Sequence, residues 1–178
     1  MRLTILAALL LAVWPAAAAG QGFAGLGADA DGFAQPQPGH EFSFPEDHGA
    51  HPAYRIEWWY LTAVLEGPDG TAYGAQWTLF RSALEPREAE GWDSPQLWMG
   101  HAAVTTPDDH FHAERLARGG LGLAGAESDP FVAFIDEWRM ESAVSRITPG
   151  GDALDALDLY ARGEAFAYSL SLDAEGPL

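Results

Sequence analysis

The sequence predicts an all-β chain, folded as an antiparallel barrel or sandwich. Short aromatic and β-branched runs recur along it, separated at near-regular intervals by Gly, Pro and Asp. Helical 3.6-residue periodicity is weak throughout. At 178 residues, with 48% hydrophobic and 12% aromatic content, the chain has material for one well-packed core.

The elements follow in order. Residues 1–19 read as a secretory signal: Arg2, an apolar run over Leu3–Val13, then Ala16-Ala17-Ala18-Ala19 before a cleavage point near Gly20 or Gln21. The apolar run is shorter than the roughly 20 residues that span a bilayer. Residues 20–41, rich in Gly, Ala, Gln and Pro, read as a flexible leader, and the domain proper covers 42–178. Strands are expected over Tyr54–Leu65 and Ala72–Arg81, joined by the turn Gly67-Pro68-Asp69-Gly70. A four-residue loop there pairs Glu66 with Thr71, and hence Trp59 with Thr78 and Leu61 with Gln76. That register puts Glu57, Trp59, Leu61, Gln76, Thr78 and Phe80 on one face, with Trp58, Tyr60, Trp77, Leu79 and Arg81 on the other. A one-residue slip would swap them. Further strands are expected at Gln96–Thr106, Phe111–Ala117, Phe131–Ile135, Glu137–Ser142, Leu154–Arg162 and Ala165–Leu172, with a glycine-rich connection over Gly119–Gly125. That connection lacks the lysine and the strand–turn–helix setting of a phosphate loop. Eight strands close a barrel with room for one small ligand.

Composition removes several classes of function. The formal charge is −17, and all nine cations are arginine. So acidic a surface repels phosphate backbones, and no nucleic-acid partner is expected. With no cysteine there is no disulfide, thiolate nucleophile or sulfur ligand for a metal. None of Ser82, Ser94 and Ser128 sits in a GxSxG context, so serine-hydrolase chemistry lacks its usual sign.

The stretch from Phe44 to Tyr60 concentrates the chemistry. Glu57 stands between Ile56 and Trp58, and a carboxyl in an apolar pocket gains a raised pKa and can act as a general acid. The alternative is a structural pairing of Glu57 with Arg55 or Arg81 that closes one end of the barrel. His101, between Gly100 and Ala102, has small neighbours that leave space for a ligand or a proton transfer; a hydrogen-bonded core histidine is the other reading. Asp47, His48 and His51, and the pair His110 and His112, have spacings a metal tolerates, but no HExxH pattern accompanies them and no metal site is expected. The Asp47–His51 loop is expected to cap the barrel. The tryptophans are either ordinary core or, in part, the wall of a cavity for an elongated apolar ligand.

Four segments carry a family resemblance: Phe44–His51, Glu57–Tyr60, Tyr73–Arg81 and Gln96–Ala103. In this order they resemble the N-terminal half of the AttH/carotenoid 1,2-hydratase (hydroxyneurosporene synthase) family. The resemblance implies a lipocalin-like, calycin-type antiparallel β-barrel in a secreted or periplasmic protein, with a second such domain encoded downstream. It implies an apolar, isoprenoid or lipid-like ligand, and hydration of a C=C bond without a redox cofactor. Glu57 and His101 become the candidate catalytic pair, and Trp59, Tyr60, Gln76 and Trp98 the candidate ligand-binding residues. A non-catalytic periplasmic binder and a secreted hydrolase are the alternatives.

Overall fold

The computed structural model describes residues 30–176. The expected signal segment, the leader as far as residue 29, and Pro177 and Leu178 lie outside the described residues.

Among the described residues, nine antiparallel strands form two sheets. The first holds β1 (Ile56–Glu66), β2 (Ala72–Ala83), β3 (Gln96–Thr105) and β4 (His110–Arg118), in that order. The second holds β5 (Ala124–Ser128), β6 (Phe131–Ile135), β7 (Trp138–Ser142), β8 (Ala156–Arg162) and β9 (Ala167–Asp173), again in sequence order. Every neighbour is also the next strand in the chain, so each sheet is a meander, with longer loops over residues 84–95 and 143–155. The all-β, antiparallel expectation holds. Among the described residues the ladders run within the two sheets, and none joins β4 to β5 or β9 to β1.

The core lies between the sheets and follows the period of two. Trp77, Leu79, Trp98 and Ala102 point inward from the first sheet, and Phe131, Ala133, Ile135, Trp138 and Leu159 from the second. Gly100 makes the close approach possible. A Cβ there would lie 2.7 Å from the Ile135 side chain and about 3.2 Å from the Trp138 ring. The guanidinium of Arg115, the register partner of Gly100, sits 4.7 Å from the Trp138 ring centroid, and the indole N–H donates to Arg162 O at 3.0 Å. Tyr168 of β9 ties the sheets together by donating its hydroxyl to Gln76 O of β2 at 2.7 Å.

The first hairpin corrects the expected register. Glu66 pairs with Ala72, so Trp59 faces Leu79 and Leu61 faces Trp77. The loop therefore has five residues, closed by Gly67 N–H to Thr71 O at 2.8 Å, with the Asp69 carboxylate capping Thr71 N–H at 3.1 Å. One extra residue turns all of β2 over. Trp77, Leu79 and Arg81 join Glu57, Trp59 and Leu61 inside, while Gln76, Thr78 and Phe80 join Trp58 and Tyr60 outside.

The glycine-rich segment has a steric explanation. Gly120 has φ +78°, and a Cβ there would lie 2.5 Å from Gly91 O. Its neighbour Gly119 bonds back to Gln96 O at 2.8 Å, so the chain leaves β4 pressed against the loop before β3. The end of the same segment belongs to β5, a strand that the sequence did not announce.

Candidate functional site

Two features meet at the open side of the molecule, where β1 and β9 are both edge strands. The first is an apolar cleft of about 540 Å³. Four consecutive residues of β1, Trp58 to Leu61, line it. Side chains of both parities reach it because an edge strand offers its rim as well as its inner face. Phe131, Met140, Leu157 and Leu172 come from the second sheet, and Leu154 from the loop before β8.

The Asp and His side chains along this cleft already have partners. Asp47 accepts from Ser43 N–H at 2.7 Å and from His51 at 2.9 Å. His48 Nε2 lies 3.1 and 3.2 Å from the two oxygens of Asp152, and Asp173 receives Arg146 Nε at 3.0 Å. None of them needs a charged ligand.

The second feature is the polar clasp beside the cleft. A 3₁₀ turn over Glu46–His48 brings the acidic and imidazole groups of the loop onto β1 and β2. The Glu57 carboxylate accepts Arg81 Nε at 2.7 Å, the His51 backbone N–H at 2.8 and 3.0 Å, and His51 Nδ1 at 2.7 Å. Arg81, 1% exposed, spends its other donors on Gln96 Oε1 at 2.6 Å, His51 O at 2.8 Å and Tyr54 O at 2.6 Å. A buried guanidinium is tolerated because each of its three nitrogens is bonded.

His51 stands between two carboxylates, with Nδ1 on Glu57 and Nε2 on Asp47. A neutral ring carries one N–H, so only the imidazolium donates to both. Burial is the largest single influence and opposes that charge. The hydrogen bonds to Asp47 and Glu57, then their charges, outweigh it and raise the pKa above its ordinary value. Asp47 is held below the usual range, first by Ser43 N–H and then by His51.

The turn is also fixed to both sheets. Trp59 Nε1 donates to His48 O at 2.9 Å, and Ala50 N–H donates to Ala126 O of β5 at 3.3 Å. The His48 ring stacks under Phe44 at 4.5 Å and meets the edge of Phe131 at 6.0 Å.

Of the residues singled out from sequence, Trp59 and Tyr60 line the cleft. Trp98 stacks behind Trp59, with centroids 5.8 Å apart. Glu57 sits in the clasp, two residues along β1 from Trp59. Gln76 and His101 lie on the outer face of the first sheet, with Gln76 exposed and His101 packed against Phe80 at 5.6 Å and 3.8 Å from Glu114. The small neighbours Gly100 and Ala102 point to the opposite, inner side. His48, Phe131, Met140, Leu154, Leu157 and Leu172 had not been singled out as lining residues. Among the described residues no cluster of three metal-ligating side chains is present.

The family model described as AttH-like matches residues 35–178. Among solved structures, the chain is similar to an AttH candidate protein from Nitrosomonas europaea, with 33% identity and a TM-score of 0.62. That match covers 82% of this chain and 42% of the other, so the chain spans less than half the length of that relative. No curated protein matches. With the family match running from the leader to the last residue, the chain belongs to the AttH-like family.

Proposed function

We propose that this chain is a lipocalin-like binding module that takes an elongated, uncharged, isoprenoid or lipid-like molecule into the cleft between β1 and β9. One observation carries this reading: a cleft of about 540 Å³, walled by Trp59, Leu61, Phe131, Met140, Leu157 and Leu172, whose charged groups are all paired within the protein. Small-molecule sites occupy about 300–1,000 Å³ and are mostly apolar, with a few placed polar groups. Asp47 and Asp173 line the cleft and no arginine does, so a carboxylate or phosphate head is disfavoured and an alcohol binds in preference to the corresponding acid. In this reading the protein works outside the cytoplasm, after removal of residues 1–19. The two sheets act together as an unclosed barrel, entered by the ligand along the β1 and β9 edges.

Glu57 serves as the strut that fixes Arg81 and His51, and the module binds its ligand without transforming it. Support comes from the clasp geometry, in which both Glu57 oxygens are engaged by Arg81 and His51.

Intrinsic tryptophan fluorescence tests the proposal, because Trp58 and Trp59 both line the cleft. A C20 isoprenoid alcohol is expected to quench it saturably, the matching carboxylic acid to do so more weakly, and Leu172→Arg to abolish the effect. Linear, non-saturating quenching by the alcohol, or the same saturable curve in Leu172→Arg, would contradict the proposal.

A further inference from the structure

The two sheets treat their outer faces differently. On the second sheet one cross-strand row reads Glu127, Val132, Glu141, Asp158 and Ser171. That is an ordinary solvated face. The corresponding row of the first sheet reads Trp58, Phe80, Met99 and Leu116, paired in register across all four strands. Trp58 is 53% exposed and Leu116 77%, and on the same face Tyr60 is 64% and Val64 87% exposed. A continuous apolar band on the outside of a sheet marks an interaction surface rather than a scatter of single residues.

Charge narrows what covers it. Where the four strands run side by side, the formal charges on this face are Glu114 and Arg118, one of each sign, on a chain of net charge −17. A basic partner would be drawn to the acidic remainder of the surface, not here. The complementary surface is another nearly charge-balanced sheet face with an apolar row, and this chain carries one, its histidines His101, His110 and His112 lying beside that row. Two copies meeting here keep their acidic surfaces turned away from each other.

Area is sufficient as well. Four strands about 4.8 Å apart, and about nine residues long at about 3.4 Å each, make a face of about 600 Å². Two such faces bury about 1,200 Å², above the roughly 1,000 Å² at which specific interfaces begin. Face-to-face sheets pack about 10 Å apart with interleaved side chains, which suits a band of Trp, Phe, Met and Leu.

We propose that the outer face of the β1–β4 sheet is a self-association surface, on which a second copy of this chain packs sheet against sheet. The surface lies on the opposite side of that sheet from the core and shares Trp58 and Tyr60 with the cleft at the β1 edge, but the proposal does not depend on a ligand there.

Sedimentation of the full chain from about 1 to about 100 μM tests it. A concentration-dependent dimer is expected. Leu116→Glu and Val64→Glu, both at exposed positions that leave the core intact, are expected to raise its dissociation constant about tenfold or more. Ser169→Glu, on the outer face of the second sheet, adds the same charge and leaves the constant unchanged. A circular dichroism spectrum matching the parent chain establishes that each variant is folded. A chain that stays monomeric across the range, or a dimer indifferent to Leu116→Glu and Val64→Glu, overturns the proposal. So does a monomer whose binding to phosphatidylcholine vesicles is lost in the same two variants, since that assigns the face to a lipid surface.

Discussion

Glu57 and Arg81 face each other across the first hairpin, directly paired in the β1–β2 register, with Glu57 Oε2 2.7 Å from Arg81 Nε. The pair fastens the 3₁₀ turn to the sheet, because His51 bonds the carboxylate while its carbonyl accepts from the guanidinium. The clasp and the cleft are therefore mechanically joined: the turn that Glu57 and Arg81 hold in place carries Asp47 and His48 to the cleft wall.

The first prediction concerns that pair. Glu57→Gln keeps the shape but removes the negative charge opposite an almost fully buried guanidinium. Breaking a buried pair from one side destabilises by about 3–5 kcal/mol, so a loss of that order is expected in urea unfolding. A change below about 1 kcal/mol would show that Arg81 rests on its neutral partners alone.

The second concerns pH. The folded pKa of His51 is raised above its ordinary value of 6.5. Its contribution to stability is therefore fully present below about pH 6.5 and lost as the pH rises through the folded value. Asp47 has the opposite sign: its pKa is lowered, so its contribution is present above about pH 3.8 and lost as the pH falls through the lowered value. Denaturation midpoints measured across pH 6 to 8 should fall more steeply in the parent than in His51→Gln. Parallel slopes would contradict the clasp.

How much of this was legible in the sequence depends on distance along the chain. Strand positions were, because Tyr, Trp, Phe and Thr runs alternate with turn residues; Phe131–Ile135 appears with the expected bounds. The β5 strand was not, since Ala124-Gly125-Ala126-Glu127-Ser128 has no β-branched or aromatic residue and forms by pairing with β6. The faces of β1 were correctly grouped, whereas those of β2 were inverted by a single loop residue. Asp47, His51 and Glu57 are close in sequence, and Arg81 had been named as one structural partner for Glu57. The cleft was legible only on its β1 side. Its other wall comes from Phe131, Met140, Leu157 and Leu172, which reach Trp59 through sheet-on-sheet packing that no local pattern records.

The third prediction tests how tightly the sheets approach. Gly100→Ala places a methyl 2.7 Å from Ile135 Cγ2 and against the Trp138 ring. Overpacking of this kind costs about 1–3 kcal/mol, which thermal unfolding will register. Ile135→Leu in the same chain, which removes the Cγ2 branch methyl that the new methyl meets, should recover part of the loss. Additive destabilisation by the two changes would show that the contact is not the cause.

Two methionines report whether the cleft takes a ligand. Met140 lines the cleft, while Met99 lies on the outer face of the first sheet. With ¹³C-methyl-labelled methionine, titration of a C20 isoprenoid alcohol is followed by NMR at these two resonances. A saturable shift is expected at Met140, with Met99 unmoved. A stationary Met140, or equal shifts at both methyls, would contradict it.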